Sequence, residues 1–302
     1  MNKKLNFLFL KTSLFFLIFL YFFSDPLESK QKILKIGAIP DQNQDIIDKR
    51  FNLLSKELSK QLNVKIKYVP VINYVAAVTA FRTKDLDLVW FGGLSGVQAR
   101  LQTPNSMVLA QRDIDKEFKS VFITNKKISI KRTTNINDLK LLKKYRFTFG
   151  SENSTSGRLM PQYFLDIAGV KLTDFKGQTV GFSGSHDATI ALVNSGAYEA
   201  GVLNKQIWDR NVKKNPKRIK NATIFFITPS YFDYHWLAQG DLDQRFRKGF
   251  TKDLKKVILN LNPKNKDQKL ILEMFNAKKF IEANSEQFKN LESIARKLKK
   301  IR

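Results

Sequence analysis

The sequence has 302 residues, 43% of them hydrophobic and 26% charged, a globular balance that excludes wholesale disorder and fibrous repetition. It has no cysteine and only two histidines, His186 and His235, which excludes disulfides, thiolate metal sites, a cysteine nucleophile and lipid attachment at an amino-terminal cysteine; no histidine-rich metal centre and no cofactor is expected. Lys and Arg number 53 against 27 Asp and Glu, a formal charge of +26 that attracts anions, but the lysines are spread over several predicted helix faces without interleaved aromatics, so no nucleic-acid partner is expected.

At the amino terminus, Lys3 and Lys4 precede an apolar stretch that ends at Phe23, before Ser24, Asp25 and Pro26. A basic start, a greasy middle and a polar end have the outline of an export signal. Bulky Tyr21, Phe22 and Phe23 stand where a signal peptidase prefers small side chains. Residues 1–26 are therefore expected to act as a signal peptide or to stay as an amino-terminal anchor, with the remainder exported.

From residue 33 the pattern alternates strands and helices. Residues 33–39 read as a buried strand closed by Pro40, and residues 46–62 as a helix with Ile47, Phe51, Leu54, Leu58 and Leu62 on one stripe. A strand over 64–68, a helix bearing Tyr74, Ala77, Val78 and Phe81, a strand over 86–91, a helix over 94–101 and a strand over 107–110 follow. After a strand over 120–124 and an irregular polar stretch over 125–137, the rhythm repeats: strand 145–150, helix 157–168 closed by Gly169, strand 179–182, helix 185–194 closed by Gly196, strand 198–203. Residues 212–220 read as a basic surface loop, 223–227 as a strand, and the chain from 242 onward as helical. The layout predicts an α/β protein of two lobes, each a mainly parallel sheet flanked by helices. Crossings near 123–126 and 222–228 assign 32–123 and 226–302 to lobe 1 and 124–225 to lobe 2, with a ligand between them at the carboxyl ends of the strands.

Three strand-to-helix turns carry chemistry. In the first, Gly150 leads to Ser154, Thr155, Ser156 and Gly157 at a helix start, where free N–H groups and the positive dipole end suit an anion. Ordinary N-capping explains one hydroxyl but not three in succession. In the second, Gly184, Ser185 and His186 open a helix; His186 is either a donor to an oxyanion or a cap. In the third, Trp90, Phe91, Gly92 and Gly93 end a strand, allowing close backbone approach or simply a tight turn with Trp90 in the core. A hydrolase triad of Ser154 or Ser156 with His186 and Asp187 is disfavoured, because adjacent side chains diverge on a helix and no Gly-x-Ser-x-Gly elbow is present. A tethered sensory module remains the other alternative.

These residues, together with Asp138-Leu139-Lys140, Phe147-Thr148-Phe149, Pro161 and the glycines at 196 and 201, resemble the phosphonate, phosphite and phosphate substrate-binding proteins of ABC transporters over residues 33–240. The stretch 90–100 is especially similar to a branch of selenate binders, whereas most phosphonate binders carry Gly-Pro in that turn. The resemblance implies a type II periplasmic binding fold and a non-enzymatic, monomeric protein that captures a small oxyanion for an ABC permease. It further implies that Ser154, Thr155 and Ser156 hold tetrahedral oxygens, that His186 adds a donor, and that Tyr74 and Phe91, beside Gly92 and Gly93, wall the cleft. Glu199 and Asp233 are the acidic candidates. Each either accepts a proton from a protonated phosphonate or phosphite or makes a surface or hinge hydrogen bond; fully ionised selenate or sulfate would be repelled by a carboxylate. Tyr231, Tyr234, His235 and Trp236 lie within reach of the cleft near the second crossing, with a core role expected for Trp236.

Overall fold

A computed structural model describes residues 32–301, so the expected signal or anchor lies outside the described residues. The first lobe begins with β1 (Ile33–Ala38), whose inner residues are apolar because helices cover both faces of the sheet. Asn43 then caps α1 (Gln44–Leu62), accepting from the Asp45 N–H, and the helix ends at Asn63 in the left-handed region. β2 (Lys65–Tyr68), α2 (Tyr74–Arg82, capped by Asn73), β3 (Leu88–Phe91), α3 (Gly93–Gln102) and β4 (Met107–Arg112) follow.

The second lobe contains β5 (Ser120–Asn125), β6 (Phe147–Phe149), a π-helical turn (Thr155–Leu159) running into α4 (Met160–Ile167), and β7 (Gly181–Phe182). It continues with α5 (His186–Ser195, closed by left-handed Gly196), β8 (Ala200–Asn204), α6 (Lys205–Lys214) and β9 (Ala222–Ile227). The chain returns to the first lobe through β10 (His235–Ala238), α7 (Leu242–Arg245), α8 (Phe250–Leu259), α9 (Lys266–Phe275), β11 (Phe280–Glu282) and α10 (Lys289–Lys297).

The strand orders are β11-β4-β10-β3-β1-β2 and β7-β6-β8-β5-β9. Both sheets are mixed rather than mainly parallel: β1 runs parallel to β2 and β3, and β6 to β7 and β8, but the strands flanking the crossings and the late β11 pair antiparallel. Residues 120–124, expected to close lobe 1, belong to the second sheet, where β5 lies between β8 and β9. The crossings are accordingly residues 113–119 and 228–234, and they pair with each other through reciprocal 2.9 Å backbone bonds between Phe118 and Tyr231. The supposed basic loop over 212–220 starts inside α6, because Asn204 caps that helix and Ile207, Trp208 and Asn211 bury one stripe of an otherwise polar segment.

Aromatic packing holds each lobe. Phe51, Trp90, Trp236, Phe275 and Phe280 interlock in the first, and Phe122, Phe147, Phe149, Phe175 and Phe226 in the second. Trp236 is fully buried, in the core position expected of it. At the first crossing Arg112 grips Asp115 through a buried bidentate pair, Nη2 to Oδ1 at 2.6 Å and Nε to Oδ2 at 2.8 Å, and donates to the Phe275 carbonyl, tying the hinge to the lobe 1 core.

Candidate functional site

Two helix starts face each other across the lobes. From lobe 1, β3 ends in Gly92 and α3 begins at Gly93; from lobe 2, β6 leads to residues 154–156 at the head of the π-helical turn. The Leu94 N–H donates to Thr155 Oγ1 at 2.9 Å, a hydrogen bond from one lobe to the other. Asp233, on the second crossing, joins the same junction: its Oδ1 accepts from the Gly93 N–H at 2.9 Å, with the Thr155 hydroxyl also beside it. A Cβ at Gly92 would stand 3.3 Å from both Asp233 Oδ1 and Thr155 Oγ1, so this glycine brings the lobe 1 backbone close to the opposite lobe.

The three hydroxyls divide their work. Ser154 is the helix cap, its Oγ accepting from the Gly157 N–H at 2.9 Å. Thr155 makes the interlobe bond just described. Ser156 Oγ is buried and has no partner of good geometry among the described residues, although the Tyr231 hydroxyl is beside it, while the Ser156 carbonyl accepts from Ser120 Oγ at 2.7 Å. Gly157 has no room for a side chain: a Cβ would stand 3.0 Å from Ser154 Oγ and 3.2 Å from both the Gly150 Cα and His186 Cε1.

His186 opens α5 and is fully buried. Its backbone N–H donates to the Asp41 carbonyl at 3.0 Å, again across the lobes. The Asn204 N–H donates to Nδ1 over a long 3.4 Å, which assigns the ring proton to Nε2. Burial holds the imidazole below its usual value, keeping it neutral, and Nε2 is buried without a partner among the described residues. Tyr74 projects from the first residue of α2; burial pushes its phenol well above the usual range, and its Oη has no partner of good geometry among the described residues, although the Ser154 hydroxyl is beside it.

Burial likewise pushes the Asp233 carboxyl from its usual 3.8 to about 7, against the opposing pull of the Gly93 N–H and the Thr155 hydroxyl. Its Oδ2, like Tyr74 Oη, Ser156 Oγ and His186 Nε2, is buried without a well-placed partner among the described residues. Tyr74 from lobe 1, Ser156 and His186 from lobe 2 and Asp233 from the crossing all stand at this interlobe junction. They offer three neutral donors and one carboxyl oxygen that carries a proton near neutral pH.

Other expected residues lie elsewhere. Glu199 precedes β8 at the end remote from Asn204, a separation of roughly 16 Å at about 3.3 Å per residue. Its burial would raise its pKa, but Arg146, at 3.1 Å from Nε and 3.0 Å from the backbone N–H, holds it below the usual value, with Lys176 at 3.8 Å. Phe91 packs into the core: the central strand β3 is covered on both faces, and the ring lies edge-on to Phe81 inside lobe 1. His235 turns to Phe288 and Gly96. Asp187 is engaged by the Asn43 N–H and Arg218 and makes no hydrogen bond to the His186 ring, so no nucleophilic triad forms. The sequence reading missed Asp41 and Asn204. Both follow the strand-end rule: Asp41 comes just after β1 and accepts from Tyr234 Oη at 2.8 Å, and Asn204 ends β8 and reaches the same phenol at 3.5 Å.

A family model for the phosphonate periplasmic substrate-binding protein of ABC transporters matches residues 36–288. A protein of Prochlorococcus marinus (strain MIT 9301), named as a probable ABC transporter phosphite binding protein PhnD1, is 68% identical over 299 residues, covering 99% of both chains. The structure of PhnD1 from that organism in complex with methylphosphonate superposes with a TM-score of 0.89 at 71% identity, covering 90% of this chain and all of the other. The phosphonates-binding periplasmic protein of Escherichia coli (strain K12) is 28% identical over 208 residues, 67% of this chain and 59% of that protein.

Proposed function

The chain belongs to the phosphonate periplasmic substrate-binding proteins of ABC transporters, and from that premise we propose that its interlobe site captures a small phosphonate or phosphite with one proton shared between ligand and protein. It is a periplasmic solute-binding protein and not an enzyme. The observation that carries the ligand reading is the set of four unpartnered buried atoms, Tyr74 Oη, Ser156 Oγ, His186 Nε2 and Asp233 Oδ2. Buried polar atoms of this kind cost free energy unless a partner satisfies them. Three donors suit the three oxygens of a phosphonate or phosphite, and the first-turn N–H groups at 155 and 156 add dipoles of the same sign. Ser154 shapes the entrance as its cap, and Thr155 closes the lobes over the ligand through Leu94.

The carboxyl decides the proton count. A monoanion brings the proton to an ionised Asp233; a dianion takes it from protonated Asp233, and the complex is the same. With a value of about 7, Asp233 holds that proton below neutrality and gives it up above, so affinity falls as pH rises through this range. Isothermal titration against methylphosphonate, phosphite, phosphate, selenate and sulfate tests the reading. Binding of the first two ahead of selenate and sulfate is expected, and no binding of any at millimolar concentration would overturn it.

The protein works as a monomer with one cleft, which light scattering in solution tests by giving the mass of a single chain. Bulky Tyr21, Phe22 and Phe23 support retention of the amino-terminal segment at the membrane. Fractionation of the native producer tests this; an entirely soluble, shortened protein would contradict it.

A further inference from the structure

The segment that follows β1 contributes three successive residues to contacts between the lobes. The Asp41 carbonyl accepts from the His186 N–H at 3.0 Å, Gln42 Oε1 accepts from Arg210 Nη2, and the Asn43 N–H donates to Asp187 Oδ2 at 3.0 Å. Gln42 Oε1 is also within 3.4 Å of Arg50 Nη2, from α1 of its own lobe. Two guanidiniums, one from each lobe, therefore converge on a single neutral amide oxygen. Arg50 is buried over the Phe275 ring at 5.2 Å, and its Nε has no partner among the described residues. Burial and the nearby Arg210 charge both oppose its cationic form, and Asp41 favours it, leaving it at about 10. Burial opposes the Arg210 charge as well, while Asp41 and Asp187, one carboxylate from each lobe, favour it.

We propose that Gln42 is a positioning residue that latches the closed lobes by accepting from Arg210 of the opposite lobe and from Arg50 of its own, and that this latch sets how quickly ligand is released. The latch touches no ligand. It acts through the opening rate, so it governs residence time rather than recognition. The inference rests on the reading of the interlobe site as the ligand site, and the experiment separates the two.

Stopped-flow tryptophan fluorescence with methylphosphonate gives association and release rates, aided by the stacking of Trp90 on Tyr234, whose hydroxyl bonds Asp41. Gln42→Glu places a carboxylate between the guanidiniums and forms charge-assisted bonds; release should slow about tenfold. Gln42→Ala should accelerate release about tenfold at an unchanged association rate. Arg210→Gln, at a half-buried position, should shorten residence as Gln42→Ala does and cancel the gain of Gln42→Glu in the double variant. Small-angle scattering of the ligand-free Gln42→Glu protein should give a smaller radius of gyration than the wild type. Release from Gln42→Glu as fast as from the wild type, or Arg210→Gln at the wild-type rate, overturns the latch. Wild-type protein that ignores methylphosphonate overturns the ligand reading instead, and the scattering comparison still decides the latch.

Discussion

Replacing Asp233 with Asn changes one proton and little else. The amide keeps an oxygen to accept from the Gly93 N–H at 2.9 Å and the Thr155 hydroxyl, and it puts a permanent donor where Oδ2 stands. In the wild type, the shift from 3.8 to about 7 corresponds to about 4 kcal/mol against ionisation in the folded protein. Because the folded value lies above the free one, this contribution to stability is whole below about pH 4 and is lost as pH rises through about 7. Asp233→Asn should therefore gain thermal stability over the wild type at alkaline pH and lose the advantage in acid. Binding follows the same proton. An anion without one, such as sulfate, needs protonated Asp233, so wild-type affinity should fall roughly 30-fold between about pH 6 and about pH 8.5, whereas the variant should be flat. Titration calorimetry over that range, repeated in buffers of different ionisation enthalpy, reads both affinity and proton uptake. A variant that keeps the wild-type pH slope would refute the assignment of the proton to Asp233.

Ser156→Ala should weaken methylphosphonate binding by one to two orders of magnitude, the worth of a hydrogen bond to a charged ligand at about 1.5–3 kcal/mol, with an unchanged melting temperature; Ser154→Ala should in addition cost about 1 kcal/mol of stability through the lost cap, read by calorimetry. In a 15N-resolved spectrum of the imidazoles, His186 should be the neutral Nε2–H form at neutral pH and should protonate only below the range of an ordinary imidazole, since burial holds it below its usual value and the Asn204 N–H occupies Nδ1; a proton on Nδ1 would contradict this. Gly157→Ala should abolish high-affinity binding, because its Cβ would meet Ser154 Oγ at 3.0 Å and His186 Cε1 at 3.2 Å, whereas Gly169→Ala, at φ +70 with nothing nearby, should cost about 1 kcal/mol of stability and leave titrated affinity intact.

Local pattern made much of the fold readable. The stripe from Ile47 to Leu62 and the left-handed stop at Gly196 are signals carried by neighbouring residues, and both elements stand where periodicity puts them. Sheet membership is not local. Nothing within Ser120–Asn125 tells whether β5 pairs with β4 or with β8 and β9, so the crossing was displaced by several residues. β10 is four residues without alternation between two antiparallel neighbours, and no period can betray it. The hydroxyls at 154–156 stood out because three at one strand-to-helix turn exceed what a cap needs. Asp233 lies on a crossing strand with no such context and was legible only through resemblance. Glu199 misled because it adjoins β8, but only the carboxyl end of that strand reaches the junction, and the same rule read forward points to Asp41 and Asn204.

A crystal structure of the protein grown with methylphosphonate at neutral pH tests the central claim most directly. Three phosphonate oxygens should lie within hydrogen-bond distance of Tyr74 Oη, Ser156 Oγ and His186 Nε2, with one of them also against Asp233 Oδ2. A phosphonate bound away from these atoms, or the four turned toward one another beside a bound ligand, would contradict the account.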